Sequence, residues 1–98
     1  MEHMVINLNK LESAAGKLRV ISHPMRIAII ELLSLNERMS VTQIYEELDI
    51  EQATASHHLN ILKNKGILLS HREGKKIFYS LKNRVLTDIV ECINRCND

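Results

Sequence analysis

Gln52-Ala53-Thr54-Ala55-Ser56-His57-His58-Leu59-Asn60-Ile61-Leu62-Lys63-Asn64-Lys65-Gly66 is the stretch on which the reading of this chain turns. Ala55, Leu59 and Leu62 recur at three- and four-residue intervals, which places them on one face of a helix, to be buried. Gly66 follows the last helical positions and is the residue that most readily stops a helix. The outward positions of this helix are Gln52, Thr54, Ser56 and His57, side chains that both donate and accept hydrogen bonds. No acidic residue occurs from 52 to 72.

Moving upstream, Asp49-Ile50-Glu51 makes a tight break. Before it, Ser40 with Gln43 three residues on forms a capping-box pattern, and Val41, Ile44, Tyr45 and Leu48 share one face of a short helix. Two helices joined by a three-residue turn are thus expected here. Further upstream, His23-Pro24 suits a helix start, and residues 25–35 are apolar nearly all round except for Arg26, Glu31 and Ser34, as befits the centre of a core. Leu8, Leu11, Ala15, Leu18 and Ile21 predict an amphipathic helix over residues 8–22 with one apolar stripe.

Downstream of Gly66 the pattern changes to two short β-type runs, residues 67–72 and 76–81, on either side of Glu73-Gly74-Lys75, which reads as a hairpin. Val85, Ile89, Cys92, Ile93 and Cys96 return to helical spacing and predict a fifth helix over about 83–96. The expected order is therefore α-α-α-α-β-β-α, mainly α with a small β-hairpin. No linker or repeat divides residues 1–98, so one domain is expected. A 98-residue chain buries a modest fraction of its surface, and the stripes on the terminal helices, about 8–22 and 83–96, are the candidate dimer interface.

Formal net charge is only +1, but it is unevenly placed. Residues 52–87 carry seven bases (Lys63, Lys65, Arg72, Lys75, Lys76, Lys82 and Arg84) against the single acid Glu73, a local balance of +6. The remainder holds six bases and eleven acids, a balance of −5. A segregated basic half suits phosphate neutralisation, although lysines also clothe ordinary solvated surfaces. A helix whose N-terminal half presents polar side chains, preceded by a second helix across a short turn, is how a protein reaches base edges in a major groove. Glutamine pairs bidentately with adenine, and hydroxyls meet bases or phosphates. Arg72, Lys75 and Lys76 around the hairpin tip would place positive charge over the sugar-phosphate backbone or in the minor groove. Double-stranded DNA is thus the expected partner. Residues 1–8 lack the charged start and long apolar run of a signal peptide or anchor, so a cytoplasmic protein without membrane attachment is expected.

Three stretches in this order resemble the ArsR/SmtB-type regulators. Residues 50–68, centred on Ser56-His57-His58-Leu59, are similar to the family's recognition helix, residues 23–33, beginning His23-Pro24-Met25-Arg26, to its second helix, and residues 72–81, beginning Arg72-Glu73-Gly74-Lys75-Lys76, to its wing. The resemblance covers roughly residues 18–82 and implies a winged helix-turn-helix that dimerises through its first and last helices, binds an inverted repeat as a repressor, and is released by a signal. It makes Gln52, Thr54, Ser56 and His57 the base and phosphate readers; Lys63, Arg72, Lys75 and Lys76 are added as DNA contacts for their positive charge. One departure is Glu51, where many relatives place a capping serine. Glu51 still favours the helix dipole but sits close to DNA phosphate, and it is left out of the binding set.

The signal is less legible. Where metal-sensing relatives carry a cysteine pair near the third helix, this chain has Met39, Ser40, Val41 and Thr42, and where they carry an Asp-x-His pair in the last helix it has Asn83 and Val85. Cys92 and Cys96, one turn apart, could act as a thiol sensor or ligate a soft metal, but both fall on an apolar stripe where cysteine commonly serves as a small hydrophobe. No cofactor is expected, and a small-molecule or redox effector stays open. His57 and His58 point about 100° apart on a helix and do not easily share one metal, so His57 is assigned to DNA and His58 to packing near the junction of helix and wing. No Gly-rich phosphate loop, activated nucleophile or paired-carboxylate cleft argues for an enzyme. The remaining alternative is a winged-helix protein-interaction module that does not bind DNA.

Overall fold

The computed structural model describes residues 7–83 and Arg95. Apart from Asn83 and Arg95, the expected fifth helix with Cys92 and Cys96 lies outside the described residues. Helix α1 (Leu8–Ile21) starts at Asn7, whose side chain accepts from the Lys10 N–H at 3.2 Å. Of its apolar stripe only Ile21 is buried, while Leu8, Leu11 and Leu18 are 69%, 54% and 46% exposed. Helix α2 (Pro24–Leu35) takes His23 as its N-cap, the ring Nδ1 accepting from the Met25 N–H at 3.1 Å, and Pro24 opens the first turn, where a missing N–H costs nothing. Its Ile29, Ile30 and Leu33 are fully buried, and each contributes about 1.5–3 kcal/mol through burial. These residues form the centre of the core, as the all-round apolar pattern of α2 predicts.

Strand β1 (Met39–Ser40) and helix α3 (Val41–Glu47) follow. Ser40 serves both: it pairs with Phe78 in the sheet and caps α3. Its hydroxyl accepts from the Gln43 N–H at 3.1 Å, while the Gln43 side chain accepts from the Ser40 N–H at 2.8 Å, which is the expected capping box. Helix α4 (Gln52–Asn64) leads to strands β2 (Leu68–Glu73) and β3 (Lys76–Leu81), an antiparallel hairpin with Leu68 opposite Leu81 and Glu73 opposite Lys76. The connection is a two-residue loop, Gly74-Lys75, with Gly74 at φ +62°; positive φ at the first central residue alone fits a type II′ turn, which glycine enters without strain.

The expected hairpin is therefore one part of a three-stranded sheet of order β1-β3-β2. Two residues offer no alternation to read, and β1 exists because Met39 and Ser40 find Tyr79 and Phe78 across the fold. Helices α3 and α4 both end in the same six-residue hydrogen-bond pattern. After α3 the Ile50 N–H donates to the Tyr45 carbonyl and Asp49 N–H to Glu46; after α4 the Ile67 N–H donates to Leu62 and Gly66 N–H to Lys63. The left-handed residue is Gly66 (φ +75°) in one case and Asp49 (φ +52°) in the other. Asp49 thus closes α3 at the start of the turn to α4.

Candidate nucleic-acid interface

Ala55, Leu59 and Leu62 seat α4 on the core and are fully buried. The opposite face follows from the helical period: counted from Gln52, Ser56 lies about 40° round, Asn60 about 80°, His57 about 140° and Thr54 about 200°. Gln52, Thr54, His57 and Asn60 are exposed, and Ser56 is half-buried. Gln52, Ser56 and Asn60 form one row, and that row faces the hairpin. Together with Thr42 at the start of α3 and Lys75, Lys76 and Ile77 of the hairpin, they line an open groove of about 330 Å³. One side of the groove is formed by residues with amide and hydroxyl side chains and the other by the hairpin residues that include the two lysines, an arrangement that matches a polyanionic strand bearing hydrogen-bonding bases.

The structure thus brings Gln52, Ser56, Lys75 and Lys76 together. The other expected residues lie outside this groove. Thr54 and His57 project from further round α4, Lys63 stands in its last turn about 16 Å along the axis from Gln52, and the exposed Arg72 bends toward the turn, its Nε donating to the Gly74 carbonyl at 3.2 Å. Thr42 and Asn60 were missed in the sequence. Asn60 was within reach of the i, i+4 rule applied to Ser56; Thr42 had no local signal, because only the packing of α3 against the sheet brings it to the groove.

Glu51 is the N-cap residue of α4 but makes no side-chain capping hydrogen bond. His58 is 7% exposed, as expected of a packing residue, and its hydrogen-bond partner and one of its ring neighbours lie at the start of α2. Its Nδ1 accepts from Arg26 Nε at 3.2 Å and its ring lies 4.7 Å from that of His23, so it docks α4 on the start of α2. Arg26 also donates through Nη1 to the Val20 carbonyl at 2.9 Å, tying in the end of α1. The exposed His57 ring is 5.4 Å from His58. Burial, assisted by His23, Arg26 and His57, holds His58 below the ordinary histidine range. Among the described residues no group of three or more His, Cys, Asp or Glu is placed to hold a metal ion, and no helix is long and apolar enough to cross a membrane.

An α3-turn-α4 pair backed by a β-hairpin beside the exposed face of α4 defines a winged helix-turn-helix protein, the hairpin being its wing and α4 its recognition helix. Residues 23–70 match the model of the arsR family of bacterial regulatory proteins. The transcriptional repressor PagR of Bacillus anthracis is 35% identical over 89 residues, 91% of this chain and 89% of PagR, and its crystal structure superposes with a TM-score of 0.81, covering 89% of this chain and 99% of that one. The transcriptional repressor SdpR of Bacillus subtilis is 40% identical over 72 residues, 74% of this chain and 79% of SdpR. A homodimeric winged helix-turn-helix DNA-binding domain of Mycobacterium bovis, 21% identical, shares the fold at a TM-score of 0.79, covering 100% of this chain and 91% of that one. This chain belongs to the ArsR family and is a DNA-binding transcriptional regulator, not an enzyme. The reading as a module that does not bind DNA finds no support in these relatives.

Proposed function

We propose that this regulator is a repressor that binds an inverted-repeat operator as a homodimer held by its terminal helices, about 8–22 and 83–96. The observation that carries this reading is the groove in which Gln52 and Ser56 of α4 face Lys75 and Lys76 of the wing. Gln52, Thr54, Ser56 and His57 read bases or adjoining phosphates in the major groove, with Asn60 added to that row. Lys63, Arg72, Lys75 and Lys76 hold the sugar-phosphate backbone, with Thr42 meeting the same strand from α3. A dimer that presents two recognition helices about 34 Å apart engages two half-sites one turn of B-DNA apart. The setting is cytoplasmic, and a small-molecule or thiol-directed effector, acting through Cys92 and Cys96 in the latter case, would release the operator.

The test is fluorescence anisotropy of the purified protein on its own upstream DNA against unrelated DNA at about 0.15 M salt. Gln52→Ala is expected to cost about 1–3 kcal/mol on the specific site and relax preference at one base position, whereas Lys75→Ala weakens all sequences alike and lowers the salt slope by about one. Equal affinity of the unmodified protein for both DNAs would overturn the proposal. Loss of specific binding on adding a thiol oxidant or Zn(II) would identify the cysteines as the effector site; indifference to both would direct attention to another ligand.

A further inference from the structure

The hairpin outruns its support. Its third strand, β1, ends at Ser40 opposite Phe78, so the two outermost pairs, Arg72 with Ile77 and Glu73 with Lys76, project beyond the sheet. Residues 71–77 are all exposed, so no burial fixes the tip. Among the described residues, Arg38 of the body reaches it. Arg38, just before β1, lays its guanidinium over the Phe78 ring at 4.2 Å from the centroid and meets both carboxylate oxygens of Glu73 through Nη1 and Nη2, the second contact at 3.4 Å. His71 Nε2 lies 4.0 Å from the same carboxylate. Phe78, His71 and Glu73 alternate onto one face of the hairpin, while Ile77 and Tyr79 on the other face line the groove toward α4.

We propose that Arg38 is a positioning residue for the wing: through its two-pronged contact with Glu73 and its stack on Phe78 it fixes the tip that carries Lys75 and Lys76 at the distance from α4 that the DNA strand requires. The planar fork of arginine suits both contacts at once, which a lysine ammonium cannot make. Glu73 is the only acid between residues 52 and 87, and it stands beside the tip lysines where DNA phosphate would repel it. Its presence there has a physical reason if it anchors Arg38. The pairing also keeps the Glu73 carboxyl below the usual carboxylate range.

The inference rests on DNA binding by the wing, so its test has one arm that needs no DNA. Hydrogen exchange of amides 72–77 is compared in the full chain, Arg38→Gln, Glu73→Gln and the double variant. Both side chains are about half exposed, at 48% and 42%, so the core is expected to melt as before while the tip amides exchange faster in all three variants. In the second arm, affinity for a duplex of the protein's own upstream DNA falls by about five- to tenfold in either single variant, and by no more in the double, because both changes remove one contact. Glu73→Gln is the informative case: charge alone predicts tighter binding, and wing positioning predicts weaker. Tighter binding by Glu73→Gln, or a salt slope lowered by about one in Arg38→Gln alone, would make Arg38 a direct phosphate contact and overturn the proposal. Unchanged tip exchange overturns it as well. Failure of the unmodified chain to prefer its own DNA, with tip exchange altered as expected, would count against the operator reading and leave the clamp standing.

Discussion

At the scale of single residues, Glu51 and His58 show local chemistry set against local convenience. Glu51 holds the N-cap of α4 without accepting from the helix, so the first N–H groups of the recognition helix lack a side-chain acceptor from their cap. Glu51→Ser is expected to raise stability by about 0.5–2 kcal/mol in urea unfolding, and to tighten DNA binding by removing an acid beside the phosphates. His58 is buried with its Nδ1 used as an acceptor for Arg26, which requires the neutral ring. Its pKa is lowered in the folded state, so between the folded value and the unfolded value near 6.5 the unfolded chain binds more protons. Stability therefore falls as pH drops through about 6.5 and levels off once His58 titrates in the folded protein. Urea midpoints at pH 7.5 and 5.5 should show this loss, and His58→Gln, which retains an acceptor for Arg26, should reduce it.

At the scale of elements, the two left-handed residues that end α3 and α4 were only half legible. Gly66 announced itself, because glycine after a periodic run is the common helix stop. Asp49 gave no such signal, yet it adopts φ +52° and closes α3 with the same pair of hydrogen bonds. At Gly66 an added Cβ would meet, among the described residues, the Lys82 Nζ at 3.9 Å, so Gly66→Ala carries backbone strain without a steric clash. A loss of about 1–2 kcal/mol is expected, measured as a lower urea midpoint with an unchanged m-value. The hairpin was read correctly from its turn, but its third strand was not, since β1 is two residues whose pairing depends on β3 some forty positions away.

For the molecule as a whole, α1 stands out by its exposed apolar surface. Leu8, Leu11 and Leu18 repeat along one side of a helix and stay largely exposed when the chain is taken alone, which a regulator assembled as a dimer would cover. If the proposed dimer is held through α1, Leu11→Glu is expected to leave the core of α2, α4 and the sheet folded while lowering the assembly state in sedimentation velocity. Affinity for an inverted repeat should fall by more than an order of magnitude, because two linked half-site contacts become one.

By itself the sequence determined helices α1 to α4, the stop at Gly66, the hairpin and the outward positions Gln52 and Ser56 on α4, because each depends on residues within a turn or two of one another: Ala55 with Leu59 and Leu62, Ser40 with Gln43, Glu73 with Lys76 across Gly74-Lys75. The same locality placed Gln52, Ser56, Lys75 and Lys76 in the candidate site. Tertiary structure alone decided which residues from distant segments share a surface. It put Thr42 and Asn60 in the groove with the wing lysines, set His58 against Arg26 and His23, and set Arg38 against Glu73 and Phe78. Helical and strand periods fix the direction of a side chain on its own element, but which element it meets is fixed only when the apolar faces of α2, α4 and the sheet close on one another.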